Sequence, residues 1–380
     1  MKKKLLVLIE DDFEIMGNGL GNVADLQYLH ALFLMNIAEE LGIKLTFTVE
    51  VVQQLNFNKY KHLNPNIRVQ KKLWDEVVCM MAERRFDVQL HLHPQWLNAE
   101  YKDGNFHLSD NWNIGLYKPS EQKQLITESI DYLNFLLKPI LPDYKIIAFK
   151  AGGWGLQPSE SLLQELAQAG IRIVMGVRDG LKIPSGSVDY TKLEEKYLPY
   201  HPSTTKITEL ASERNELVII PLQPYAPGPI ALLKLACGLT INKIRCRNNQ
   251  HSYFEKSALN GTRAQSLSTD KKIFKLSTHP YYTHLKIGNQ PFSYLKASFD
   301  SVIKRMRLYD IERIPILIET HTKQYHNHYD DIKRFLVYLT EHYETELEFG
   351  DMTSYLKEID ENYKLVKVKP ENIHQRVSIS

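Results

Sequence analysis

The stretch Phe86–Trp96, FDVQLHLHPQW, carries two imidazoles, His91 and His93, two positions apart in a run of strand-forming residues. With a strand's period of two, Phe86, Val88, Leu90 and Leu92 share one face, and Asp87, Gln89, His91 and His93 share the other. At roughly 3.3 Å per residue the two rings lie ~6.5 Å apart, close enough to swing onto one metal ion. Pro94 has no N–H to continue a ladder, which puts the pair at the carboxyl end of its strand. Parallel α/β folds place their chemistry at that end. Histidines so spaced can equally bond carbonyls in a core or face water, so the other strand ends must decide. The first apolar run, Leu5–Ile9, meets Glu10, Asp11 and Asp12. A later one, Ile314–Glu319, ends in Glu319 and His321. A third leads to Lys150 and then AGGWG, whose glycines permit close backbone approach. Carboxylates and imidazoles from neighbouring strand ends form an N/O donor set of the kind Zn²⁺ takes. Those left over would supply a base and an acid. Trp96 and Trp154 are candidates to stack on a sugar ring, although tryptophan beside glycine also simply packs. His279, after another strand, is a further candidate for contact with substrate.

The elements that must position these groups alternate. Strands are expected at Leu5–Ile9, Ile43–Val51, Phe86–His93, Lys145–Lys150, Ile171–Val177, Leu217–Leu222, Ile273–Ser277, Ile314–Glu319 and Leu347–Phe349. Helices are expected at Asp25–Leu41, Leu73–Arg85, Ser120–Leu137, Ser159–Ala169, Phe292–Leu308, Tyr329–Tyr343 and Thr353–Ile359. Gly42 would end the first helix and Ser120 would cap the third. Gly17–Asn22, GNGLGN, lacks the Lys-Ser/Thr of a phosphate loop and reads as a turn. Steady alternation of strand and helix argues a parallel sheet or barrel. The expectation is a distorted TIM-like (β/α) barrel of seven or eight units over residues 1–360. An insertion falls around 225–270 and a mobile tail covers 361–380. His284, His326 and His328 read as surface residues, and Cys79 as core.

Composition is that of an ordinary folded protein: 380 residues, 43% hydrophobic, 24% charged, with a net charge of +2. Such a balance gives no general attraction to nucleic acid or membrane surfaces, and no stretch approaches the ~20 apolar residues of a membrane span. Cys79, Cys237 and Cys246 lack zinc-motif spacing and read as free thiols of a reducing compartment. The basic start and short apolar run are too brief for a signal peptide, so a cytoplasmic location is expected.

Taken together, the motifs resemble the polysaccharide deacetylases, the NodB-homology group within carbohydrate esterase family four. The likeness runs through most of the chain apart from the insertion. The family's Thr-Phe-Asp-Asp is similar to Ile9-Glu10-Asp11-Asp12, and its Thr-Phe-Phe-Val to Thr46-Phe47-Thr48-Val49. Its His-Pro resembles His93-Pro94, and its Arg-Ala-Gly-Gly-Trp resembles Lys150-Ala151-Gly152-Gly153-Trp154. The resemblance implies removal of acetyl from an N-acetylated sugar or surface-polysaccharide precursor, with a divalent metal, zinc by preference, as cofactor. It implies Asp11 as base, Asp12, His91 and His93 as metal ligands, His321 as general acid and Lys150 in place of an arginine that orients the base. This chain departs from the family in its His-x-His spacing, with Gln89 four before His93, and in Glu10. Two other readings stay open. Carboxylates such as Glu10, Asp11 and Glu50 could serve a glycoside hydrolase on the same barrel. A non-catalytic carbohydrate-binding protein could also keep the fold.

Overall fold

Strand β1, Leu5–Phe13, is buried along its whole length, and its alternation organises the molecule. Leu5, Val7, Ile9 and Phe13 belong to the large core packed under the helices. Leu6 and Leu8 belong to a second core with Ile173, Met175, Val218, Ile220 and Leu317. The even-numbered face therefore points into the barrel. Its lower storeys are apolar, and Glu10, Asp12 and Glu14 continue it upward. The computed structural model describes residues 5–229, 231–237, 283–309, 313–325 and 328–369. The expected strand Ile273–Ser277, His279, His326, Cys246 and most of the insertion lie outside them.

The other strands of the main sheet are β2 Thr46–Glu50, β3 Asp87–Leu92, β4 Ala148–Ala151, β5 Ile173–Arg178, β6 Val218–Leu222, β7 Lys286–Ile287, β8 Pro315–Thr320 and β9 Leu347–Gly350. They form one curled sheet in the order β6-β5-β4-β3-β2-β1-β8-β7, every pair parallel. β9 pairs with the lower half of β1, Leu5–Leu8, and β2 takes the upper half, Glu10–Phe13. This is the expected α/β barrel, with a seam between β6 and β8. The Gln223 side chain bridges the seam, donating to the Pro315 carbonyl (3.0 Å) and accepting from the Leu317 N–H (3.0 Å). Lower down, the Gln89 carbonyl accepts from Ile147 and Ala148 N–H (2.8 and 2.9 Å), where β3 and β4 diverge.

The helices are α1 Leu29–Leu41, α2 Val51–Tyr60, α3 Pro65–Glu83, α4 Pro119–Leu137, α5 Glu160–Gln168, α6 Phe292–Met306, α7 Tyr329–His342 and α8 Met352–Glu361. Gly42 ends α1 in the left-handed conformation, φ 65°, as its lack of a Cβ allows. Helix α2 is absent from the sequence-based expectation because Ile43–Val51 keeps a strand-like pattern up to its last residue. In the structure Glu50 turns the chain instead, capping α2 by accepting from Gln53 N–H at 3.1 Å. Helix α4 starts at Pro119 after Lys118, so Ser120 lies inside its first turn and is not the cap. β1 outruns its expected end by four residues, with Glu10 and Asp12 paired inside the barrel.

Part of the expected tail is packed. Leu365 and Val366 are buried in the interior core, and the Lys367 carbonyl accepts from His201 N–H at 3.0 Å. The described flanks of the insertion meet in a short antiparallel pair, Pro224–Tyr225 against Thr283–His284. Among the described residues no helix is long and apolar enough to cross a membrane. Cys79 is half-buried and Cys237 exposed, both as free thiols.

Candidate active site

At the carboxyl ends of the strands the inward face becomes polar on all sides. β1 supplies Glu10 and Asp12, with Glu14 just beyond. β3 supplies His91, with His93 just beyond; β4 supplies Lys150; and β8 supplies Glu319, with His321 just beyond. The register sets their heights, since Glu10 is level with Glu319 across β1–β8, and His91 with Lys150 across β3–β4.

Lys150 is the central counter-ion. Its ammonium contacts Glu10, Asp12 Oδ2 at 3.0 Å and Glu319 Oε2 at 2.9 Å. Burial alone would lower its pKa, yet Asp12, Glu10 and Glu319 reverse this and hold it well above the usual lysine value. Burial pushes Asp12 up, but Lys150, His91 and His321 outweigh it, so its carboxyl sits below the ordinary value. Glu319 ends well below for the same reason, through Lys150, His284 and His321. Glu10 stays raised, because burial dominates over its Lys150 contact.

The imidazoles converge on Glu14. His93 Nε2 touches Glu14 Oε2, and His91 Nε2 lies 3.7 Å from the same oxygen. The three atoms lie within 4.8 Å of one another. All three are buried and have no hydrogen-bond partner beyond one another, an arrangement that suits a further group held between them. Two imidazole nitrogens and a carboxylate oxygen fit a divalent cation. The other nitrogen of His91 bonds the Lys150 carbonyl at 3.0 Å, which orients the ring as a ligand's outer partner does. Asp12 joins a neighbouring group with Glu14 and His321, and its Oδ1 lies 4.0 Å from His91 Nδ1. The expected ligand triad thus meets with Glu14 in the position expected of Asp12.

His321 Nε2 is 3.1 Å from Asp12 Oδ2. Burial, with Lys286 nearby, lowers its pKa to about 3, so the ring is neutral at pH 7. Glu50 lies at the same level, and burial raises its pKa to about 7.

Asp11 departs from expectation. It lies on the outward face of β1, between Ile9 and Phe13 of the helix-side core, where burial raises its carboxyl well above the usual range. A base role for Asp11 therefore has no geometry, and neither does a Glu10–Asp11 catalytic pair, since the two side chains point to opposite faces. Trp96 is a core residue, 2% exposed and packed on Phe57 and Phe106, which excludes it as a sugar platform. Trp154 is half-buried and donates its Nε1–H to Glu319 Oε2 at 3.1 Å. His284 is not a surface residue, since it is buried with Nε2 3.2 Å from Glu319 Oε1. His328 is also buried, 3.7 Å from Asp331. Glu14, Lys286 and Lys323 escape the sequence reading. For Glu14 the signal was present: had the first strand been extended, its period of two would have put residues 10, 12 and 14 on one face.

The curled parallel α/β barrel is the fold of a solved candidate polysaccharide deacetylase. A candidate polysaccharide deacetylase from Mycobacterium smegmatis aligns over 97% of this chain and 94% of its own, with a TM-score of 0.52 and 11% identity. A candidate polysaccharide deacetylase from Pseudomonas aeruginosa PAO1 aligns over 94% and 91%, with a TM-score of 0.48 and 10% identity. The Puue allantoinase aligns over 94% and 90%, with a TM-score of 0.47 and 10% identity. No protein-family model matches the chain, and no curated protein matches it significantly.

Proposed function

We propose that this protein is a divalent-metal-dependent hydrolase that removes an acetyl group from the nitrogen of an N-acetylated sugar or surface-polysaccharide precursor. The observation that carries the reading is the convergence of three buried ligand atoms, Glu14 Oε2, His91 Nε2 and His93 Nε2, with no partner beyond one another. These residues would hold the cation, and two imidazoles with one carboxylate favour zinc. When bound, such an ion polarises a carbonyl and acidifies water.

The chain's own groups would do the rest. Lys150 keeps Asp12 ionised and fixed, with Oδ2 facing His321 Nε2 at 3.1 Å. That carboxylate–imidazole pair is where a proton leaves water and is passed to the departing amine, a transfer worth about 10²–10⁴-fold. Low exposure of these groups keeps competing water out. Trp154, anchored on Glu319, offers its ring at the edge of the site.

The test is metal content together with acetate release. Purified wild type should carry about one equivalent of divalent metal and release acetate from N-acetylhexosamine oligomers, and a chelator should abolish the release. His91→Ala/His93→Ala should lose both. Wild type free of metal, or acetate release that survives chelation, would overturn the proposal.

A further inference from the structure

This inference rests on the hydrolytic reading above and concerns its substrate. At the barrel mouth the carboxylates are buried, whereas Lys286 and Lys323 are partly exposed. Glu10 and Glu319 side chains are 0% exposed, Asp12 4% and Glu14 5%, against 13% for Lys323 and 22% for Lys286. Lys150, at 1%, is an interior counter-ion shared by three carboxylates. The two accessible lysines are placed differently. Lys323 sits on Glu14 Oε1 at 2.5 Å, the oxygen turned away from His91 and His93. Lys286 stands 3.7 Å from Glu319 Oε1, an oxygen that already has His284 at 3.2 Å. The other oxygen of Glu319 is held by Lys150 and Trp154. Glu319 therefore has its partners without Lys286.

Lys323 stands beside Glu14 of the candidate cation site, Lys286 beside the neighbouring Glu319, and both ammonium groups oppose a cation there by repulsion. They gain free energy when a negative charge arrives with the ligand. Arg178 extends the positive rim, with its guanidinium 5.4 Å from the Trp154 ring and 3.4 Å from His284 Nδ1. An incoming molecule thus meets positive charge before it meets the buried carboxylates.

We propose that the substrate carries an acidic group, a carboxylate or phosphate ester, next to the scissile acetamide, and that Lys286 and Lys323 bind it. Ammonium groups are compact point charges that serve either acid.

The experiment uses three probes on the metal-loaded full chain: neutral N-acetylglucosamine, N-acetylmuramic acid (a carboxylate beside the acetamide) and N-acetylglucosamine 1-phosphate (a phosphate ester beside it). Binding is measured by calorimetry and acetate release is measured separately. At least one acidic probe should bind about tenfold or more tightly than the neutral one, with the advantage shrinking as salt rises. Lys286→Gln and Lys323→Gln should each reduce that acidic-over-neutral ratio by roughly tenfold, and Lys286→Arg should retain most of it. Whichever acidic probe shows the preference identifies the acid. Equal binding of all three probes, or Gln variants that weaken all three alike, overturns the assignment. Should a Gln variant fail to fold, the salt dependence of wild-type binding decides. Acidic probes that bind through the lysines but release no acetate would sink the hydrolase and leave the rim standing. Hydrolysis without preference would do the reverse.

Discussion

At the scale of single residues, neighbours in sequence have opposite fates. Asp11 and Asp12 are adjacent, yet Asp12 faces Lys150 and His321 while Asp11 is buried on the helix side. Asp11→Asn should leave metal content unchanged, and Glu14→Gln should lower metal affinity at least tenfold, the loss expected when a supporting group is removed; a metal titration separates the two. Asp11 also makes a prediction about stability. Its carboxyl is raised in the fold by burial, so the folded state binds more protons than the unfolded one at pH values between the two pKa values. Stability then falls as pH rises through that window. Asp11→Asn should therefore stabilise the protein at neutral pH, and the gain should vanish below the unfolded carboxylate's pKa. Urea unfolding at pH 3.5 and pH 7 measures this.

At the scale of elements, the turn after β4 shows how backbone makes room for chemistry. A Cβ on Gly152 would overlap the His93 ring, with Nδ1 and Cε1 its first neighbours. Gly152 is therefore what lets β4 approach β3 closely enough for His93 to reach Glu14. Gly152→Ala should push His93 aside and weaken metal binding by about 10–100-fold, whereas Gly228→Ala, with nothing within 4 Å of the added atom, should have no effect. The pairing of the sheet also explains why α2 starts so abruptly. Glu50 is level with His91 in the ladder, and its carboxylate caps the helix that carries the chain away from the site.

At the scale of the whole molecule, one barrel interior is divided into an oily base and a charged top. The top persists because Lys150 balances three buried carboxylates. Lys150→Met should cost about 3–5 kcal/mol in stability, since it strands uncompensated charge. The barrel's seam offers an independent check. Gln223→Leu removes the amide that joins β6 to β8 and leaves Pro315 O and Leu317 N without that partner. It should destabilise by about 1–3 kcal/mol for each stranded group, read from the midpoint of urea unfolding.

Apolar runs in β1, β5, β6 and β8, the alternation along β3 and the steady succession of strand and helix were enough to define a parallel barrel and the end where its polar groups collect, because strand period and apolar burial are local properties. The His91–His93 face and the positions of Lys150 and His321 were legible on the same ground. The sequence by itself did not determine which acids face the imidazoles. That depends on where β1 ends, and β1 runs on past Ile9 only because Lys150 and His321 arrive from distant strands to neutralise its inward carboxylates. For the same reason Trp96 proved to be core and His284 a member of the site. Their surroundings are built by segments far away in the chain, such as Phe57 and Phe106 for Trp96 and Glu319 for His284. Burial and charge pairing between such segments are decided by tertiary packing alone, since a side chain's solvent and counter-ions are set by what folds against it.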